Sequence, residues 1–258
     1  MQNLKLTLIQ ADLHWQNPEK NRASFERKIA SLREPGQVII LPEMFTTGFT
    51  MEARSWAEPM NGPSVQWMQS LAQKTGAAIA GSLIIKENDA FFNRFIWASP
   101  QGNLFTYDKR HLFRMAGEHE IYRAGDRLQT VELNGWRIRL FVCYDLRFPV
   151  WSRNVDLDYD VAVYVANWPA SRISAWRTLL QARAAENQAY VIGLNRTGSD
   201  GLGIRYSGQS LVANAIGNII ADLGQNETIV PVNLSRADLE HVRQKFPAWK
   251  DADRFAIL

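Results

Sequence analysis

Cys143, Glu43 and Lys109 are the residues whose types and settings could together carry a reaction. Cys143 is the only cysteine in the chain and closes the stretch WRIRLFVCYDLRFP, residues 136–149. A thiol where a strand gives way to a turn is held on rigid backbone, and the turn supplies free N–H groups. This is the strand-to-turn logic of a nucleophile elbow, here without the flanking glycines of the serine version. A lone cysteine is ordinarily a small buried hydrophobe, so its companions decide the matter. Glu43 follows the apolar run VIIL, and Lys109 lies in YDKRHLF just past a strand. Taken singly, the carboxylate reads as a cap or surface group and the lysine as a solvated cation. Taken together, they are what amide hydrolysis by a thiol requires: a nucleophile, a base for its proton and a cation for the oxyanion.

Other chemistries have less support. His14, His111, His119 and His241 show neither HExxH nor a paired metal spacing, which disfavours zinc. His111 as the base of a Cys-His pair is the main rival to Glu43. The segment GSDGLG, 198–203, has neither the Rossmann spacing nor a GK[ST] ending, so it is not a phosphate loop.

The elements that position these residues follow from periodicity. Strands are expected at 4–10, 38–41, 77–85, 160–166, 189–194 and 228–234. Hairpins are expected at 91–98/104–107, at 127–133/136–142 around Asn134-Gly135, and at 206–213/218–222. Helices are expected at 17–33, from Asn61-Gly62-Pro63-Ser64 to Gly76, around 148–155, at 173–187, and from the Ser235 cap to about Lys245. Strands and helices alternate in both halves, which predicts an α/β protein with at least one mixed, helix-covered sheet. No linker or composition shift divides the chain, so one domain over 1–258 is expected. Self-similarity is too weak to claim a repeat.

Composition narrows the class. Apolar residues make up 46% of 258, with nine Trp and twelve Phe, which indicates a globular chain. Lys and Arg number 29 against 26 acidic residues, interspersed, so the pI near 9.0 gives nucleic-acid binding little support. No apolar run approaches the ~18 residues that span a bilayer, and the N-terminus does not read as a signal peptide. The Asn-x-Thr/Ser triplets at Asn195, Asn226 and Asn233 are chance matches. The expectation is a soluble cytoplasmic protein with no membrane or nucleic-acid partner.

Three blocks in order, LPEMFTTGF (41–49), YDKRHLF (107–113) and CYDLRFP (143–149), resemble the motifs of the nitrilase, or carbon–nitrogen hydrolase, family. VANWP, ARAAENQAYVIG, NRTGSDG and SGQSLV extend the resemblance along the chain. It implies a four-layer α-β-β-α sandwich and a homodimer whose helical layers meet. It implies Glu43 as general base, Lys109 as oxyanion-side cation, Cys143 as nucleophile and the backbone N–H of Tyr144 as a second oxyanion donor, with no metal or organic cofactor. A second glutamate after the lysine is expected: Glu118 is preferred to Glu120 by counting back from Gly125. Nitrilases proper tend to carry Trp-Glu after the cysteine; Tyr144-Asp145 implies an amide rather than a nitrile.

Within the family the chain looks most like the omega-amidases, which hydrolyse 2-oxoglutaramate and 2-oxosuccinamate. An N-carbamoyl amino acid or a nitrile is the nearest alternative substrate, and a non-catalytic binding protein is the alternative from another class. A remote substrate carboxylate calls for an arginine. Arg172, in NWPASR past the strand DVAVYVA, is the expected partner. Arg147 is expected to be pinned by an acidic neighbour, and Arg205 is a third candidate. Trp168 and Phe45 are expected to wall the aliphatic linker.

Overall fold

The computed structural model describes residues 2–256. Among the described residues, fourteen strands form two six-stranded mixed sheets and one small ribbon. The first sheet holds β1 (Leu4–Gln10), β2 (Val38–Ile40), β3 (Ala78–Glu87), β4 (Ala90–Ala98), β5 (Leu104–Asp108) and β14 (Thr228–Leu234), in the order β14-β1-β2-β3-β4-β5. The second holds β6 (Thr130–Leu133), β7 (Trp136–Val142), β8 (Val161–Ala166), β9 (Tyr190–Asn195), β12 (Leu211–Ala213) and β13 (Ile219–Asp222), in the order β6-β7-β8-β9-β12-β13. The ribbon pairs β10 (Thr197–Ser199) with β11 (Arg205–Ser207).

Alternation along the strands makes the layers. Leu4, Leu6 and Leu8 of β1, with Val38, Ile40, Ala78, Ala80, Phe95 and Trp97, face the second sheet in one continuous core. Their neighbours Ile9, Ile39, Ile79 and Ile96 face outward, onto Phe25 and Ile29 of helix Pro18–Ala30 and Val65, Met68 and Leu71 of helix Pro63–Thr75. Both faces are apolar, so these strands read as unbroken hydrophobic runs. On the far side, helix Ile173–Asn187 lies so close to β9 that a Cβ at Gly193 would fall 2.3 Å from Leu180. The expected α-β-β-α arrangement is what the chain adopts.

The two sheets repeat one pairing pattern. From β14 to β5 the neighbours run antiparallel, parallel, parallel, antiparallel, antiparallel. From β6 to β13 the pattern is the same. This duplication is invisible in the residues because only the backbone scheme is shared.

The helix at 17–33 is shorter than its periodicity suggested. Asn17 caps it through the Lys20 N–H, and it ends at Ala30. The helix expected around 148–155 is reduced to Pro149–Ser152 and a separate turn, Val155–Leu157. The expected strand 206–213 is also broken. Gly208 and Gln209 take positive φ (59° and 53°), and a Cβ on Gly208 would meet the Gln10 side chain at 2.4 Å. That side chain accepts the Ser210 N–H and donates to the carbonyls of Gly224 and Asn226, so β11 and β12 separate around it.

Candidate active site

Every reactive side chain sits just past the end of a strand. Glu43 lies three residues beyond β2, Lys109 directly after β5, Cys143 directly after β7 and Asn167 directly after β8. Two sharp bends set their directions. Cys143 itself has φ 44°, and Met44, after Glu43, has φ 42°. A non-glycine residue in this region costs of order 1–3 kcal/mol and persists only where its surroundings enforce it.

At Cys143 the enforcer is Asp145. Its buried carboxylate accepts the Val142 N–H (3.0 Å), the Tyr107 hydroxyl (2.7 Å) and the His111 N–H (3.0 Å), and Trp151 donates in turn to Tyr107. His111 Nδ1 also lies 2.9 Å from Asp145, and its ring stacks on Phe148 with centroids 3.7 Å apart. The imidazole is thus part of the scaffold under the turn and not a partner of the thiol.

Beside the turn lies a buried ionic cluster. Lys109 Nζ donates to Glu118 at 2.9 and 3.0 Å and to Glu43 at 3.1 Å, with all three side chains at most 1% exposed. Asn93 Nδ2 donates to Glu43 at 2.7 Å, and Asn93 Oδ1 is fixed by the Ser82 hydroxyl. The second oxygen of Glu43 accepts the backbone N–H of Asn167 at 2.7 Å. Glu118 also accepts the Phe113 N–H. Glu120, by contrast, has a side chain 74% exposed.

The electrostatics follow from burial. Desolvation pushes the Cys143 thiol well above its ordinary range, Glu43 and Glu118 push it further, and Lys109 alone pulls it back. Burial opposes the charge on Lys109, but Glu118 and Glu43 outweigh it and hold its pKa above normal. Burial raises Glu118 against the pull of Lys109.

A cavity opens over Cys143, lined by Lys109, Tyr144, Asn167, Trp168 and aromatic residues. Two expectations about its wall are corrected. Phe45 is fully buried on the opposite, helix-facing side, edge-on to Phe25 and beside Trp67, because the bend at Met44 turns it outward. Phe49 and Phe113 line the cavity in its place. Arg147 has no acidic partner among the described residues; its guanidinium lies 4.9 Å above the Trp168 ring and faces the cavity. Arg172 lines it too, over Phe113, whereas Arg205 is exposed on β11. Trp168 is held by Asn195, which accepts its N–H and donates to its carbonyl.

Ser82, Asn93 and Asn167 join the site from outside the set that the sequence suggests. The available signal was a polar residue inside an apolar strand, GSLII or FFNRF, or directly after one, VAN. A buried polar group must have a partner, and here that partner is the site.

The comparisons with known proteins agree with this architecture. The carbon-nitrogen hydrolase family model matches residues 5–244. The chain is 50% identical to omega-amidase YafV of Escherichia coli (strain K12) over the full length of both. It is 32% identical to a 2-oxoglutaramate amidase of Bacillus subtilis (strain 168), covering 95% of this chain and 96% of the relative. Among solved structures, XC1258 from Xanthomonas campestris, a CN-hydrolase superfamily protein with an arsenic adduct in its active site, superposes with a TM-score of 0.98. It is 43% identical over all of both chains. The three motif blocks, the two matched sheets and these full-length relatives lead to one assignment: this chain belongs to the carbon–nitrogen hydrolase family.

Proposed function

We propose that this chain is an omega-amidase, cleaving the terminal amide of small 2-oxo acid amides such as 2-oxoglutaramate and 2-oxosuccinamate to the oxo-diacid and ammonia. The observation that carries the reading is the buried Glu43–Lys109–Glu118 cluster set against the Cys143 turn, beside a cavity lined by Arg147 and Arg172, which have no acidic partner among the described residues. The names of the full-length relatives support the substrate class.

Burial and the two carboxylates hold the Cys143 thiol above its ordinary range, and attack on the amide carbon proceeds as Glu43 takes the Sγ proton. The carbonyl oxygen becomes an oxyanion between Lys109 Nζ and the Tyr144 N–H. An ammonium has three donors, and loosening one of its two bonds to Glu118 frees one for this purpose. Glu43 then returns the proton to the leaving nitrogen as the C–N bond breaks, leaving a thioester on Cys143. The same carboxylate activates water to hydrolyse it. Glu118 fixes the lysine, Arg172 and Arg147 face the remote carboxylate, and Trp168 walls the linker. We further propose one domain over 1–258 (residues 1, 257 and 258 lie outside the described residues), working as a cytoplasmic homodimer. Among the described residues no helix is long and apolar enough to cross a membrane.

The test is ammonia release from a panel of 2-oxo acid amides, neutral amides, N-carbamoyl amino acids and nitriles. The 2-oxo acid amides should lead, Cys143→Ala should abolish turnover, and early quenching should give an acyl adduct on Cys143. Turnover by Cys143→Ala would refute the thioester route, and a lead by any other class would move the substrate.

A further inference from the structure

Asn167 carries an unused acceptor at the reaction centre. The residue is 5% exposed and lines the cavity over Cys143, and its Oδ1 has no hydrogen-bond partner among the described residues. The orientation of the amide is not ambiguous. Nδ2 lies 2.7 Å from the Glu43 carbonyl and 3.4 Å from Glu43 Oε2, so a flipped side chain would set oxygen against oxygen. Oδ1 is therefore left facing away from Glu43 with a lone pair to satisfy, and a buried acceptor without a donor is costly. The backbone N–H of the same residue grips the Glu43 carboxylate at 2.7 Å. One residue thus touches the proposed proton carrier and holds a free acceptor beside it.

We infer that Asn167 Oδ1 receives an N–H of the substrate's leaving amide nitrogen and selects for amides over esters. This rests on the amidase reading. In the tetrahedral intermediate the nitrogen has two N–H bonds and one lone pair. One N–H given to Asn167 turns the lone pair toward Glu43, whose proton it takes as the C–N electron pair moves onto nitrogen and ammonia departs. An ester oxygen in the same place has no hydrogen to give and sets its lone pairs against Oδ1. A site built to bond an N–H rejects the analogue that lacks one.

The experiment compares kcat/KM for 2-oxoglutaramate and for the matching 5-methyl ester of 2-oxoglutarate in the wild type and in Asn167→Leu. The two substrates share the acyl group and the thioester, and the backbone N–H of residue 167 that holds Glu43 is kept in Asn167→Leu. The amide-to-ester ratio should fall about tenfold or more in the variant, while hydrolysis of the common thioester, monitored by methanol release from the ester, should be little changed. Equal losses on both substrates would overturn the inference while leaving the amidase reading intact; no turnover of any amide by the wild type would overturn both. A second measurement avoids altering Asn167. In a crystal of Cys143→Ala with the amide bound, the substrate nitrogen should lie within hydrogen-bond distance of Oδ1. The carbonyl oxygen there instead, or no substrate atom, refutes the assignment.

Discussion

Replacing Lys109 with methionine removes the ammonium that two buried carboxylates share, in a side chain of similar length. Glu43 and Glu118 would then face each other with only Asn93 Nδ2 between them, at 2.7 and 3.4 Å. Removing one partner of a buried ion pair costs about 3–5 kcal/mol. For a chain of this size that is a fall in Tm of roughly 6–10 °C. The cost carries a sign with pH. An unfolded glutamate titrates near ~4.3. Burial already raises Glu118 in the folded protein, and losing Lys109 removes the charge that pulls it down. The folded variant therefore binds more protons than the unfolded chain above that pH, so its deficit against wild type should be small near pH 4.5 and grow toward pH 7. Adding Glu118→Gln removes the second charge and should recover about 1–3 kcal/mol of the loss, although activity stays lost. Urea unfolding followed by tryptophan fluorescence measures all four proteins of this cycle. Additive costs, or a deficit that does not change between pH 4.5 and 7, would show that the cluster does not behave as two carboxylates around one cation.

Arg172→Ala should raise KM for 2-oxoglutaramate about tenfold, since a charge-assisted contact is worth roughly 1.5–3 kcal/mol, and Arg147→Ala should do likewise; a neutral amide of equal length should respond to neither. Equal effects on both substrates would give the arginines a purely structural role. Glu43→Gln should abolish turnover, whereas His111→Ala should cost less than tenfold; the reverse order would transfer the base to the imidazole. Asp160 is surrounded by Arg236 and Arg243, and although burial opposes its charge, the Arg137 N–H and Arg243 hold its pKa below normal. Its stabilisation is present above the unfolded value and is lost as pH falls through the folded one. Asp160→Asn should therefore destabilise by roughly 3–5 kcal/mol at pH 7 and by much less at pH 3 in urea titrations.

Much of this site was legible because its chemistry is tied to strand ends. Glu43 and Cys143 each follow an apolar run that reads as a buried strand, Lys109 follows the partly buried β5, and all three positions meet in the fold. What could not be read depends on backbone direction rather than residue type. Phe45 and Phe49 are both aromatic and both follow Glu43 closely in sequence; the bend at Met44 turns Phe45 away, and Phe49 faces the cavity. Arg147 and Asp145 sit close in sequence, yet Asp145 spends its oxygens on Tyr107, His111 and Val142, leaving the arginine to the cavity. The break at Gly208 depends on the Gln10 side chain, nearly two hundred residues away, which no local window contains.

The pairing of β1 with β14 ties Leu4 to Leu234. In a chain made from its N-terminus, β1 waits for nearly the whole polypeptide before one of its edges is closed. Contacts of such sequence separation slow folding, and an open apolar edge recruits other strands meanwhile. Truncation before Thr228 should thus be more damaging than the loss of one peripheral strand suggests, driving nascent chains toward aggregation rather than merely lowering their melting point.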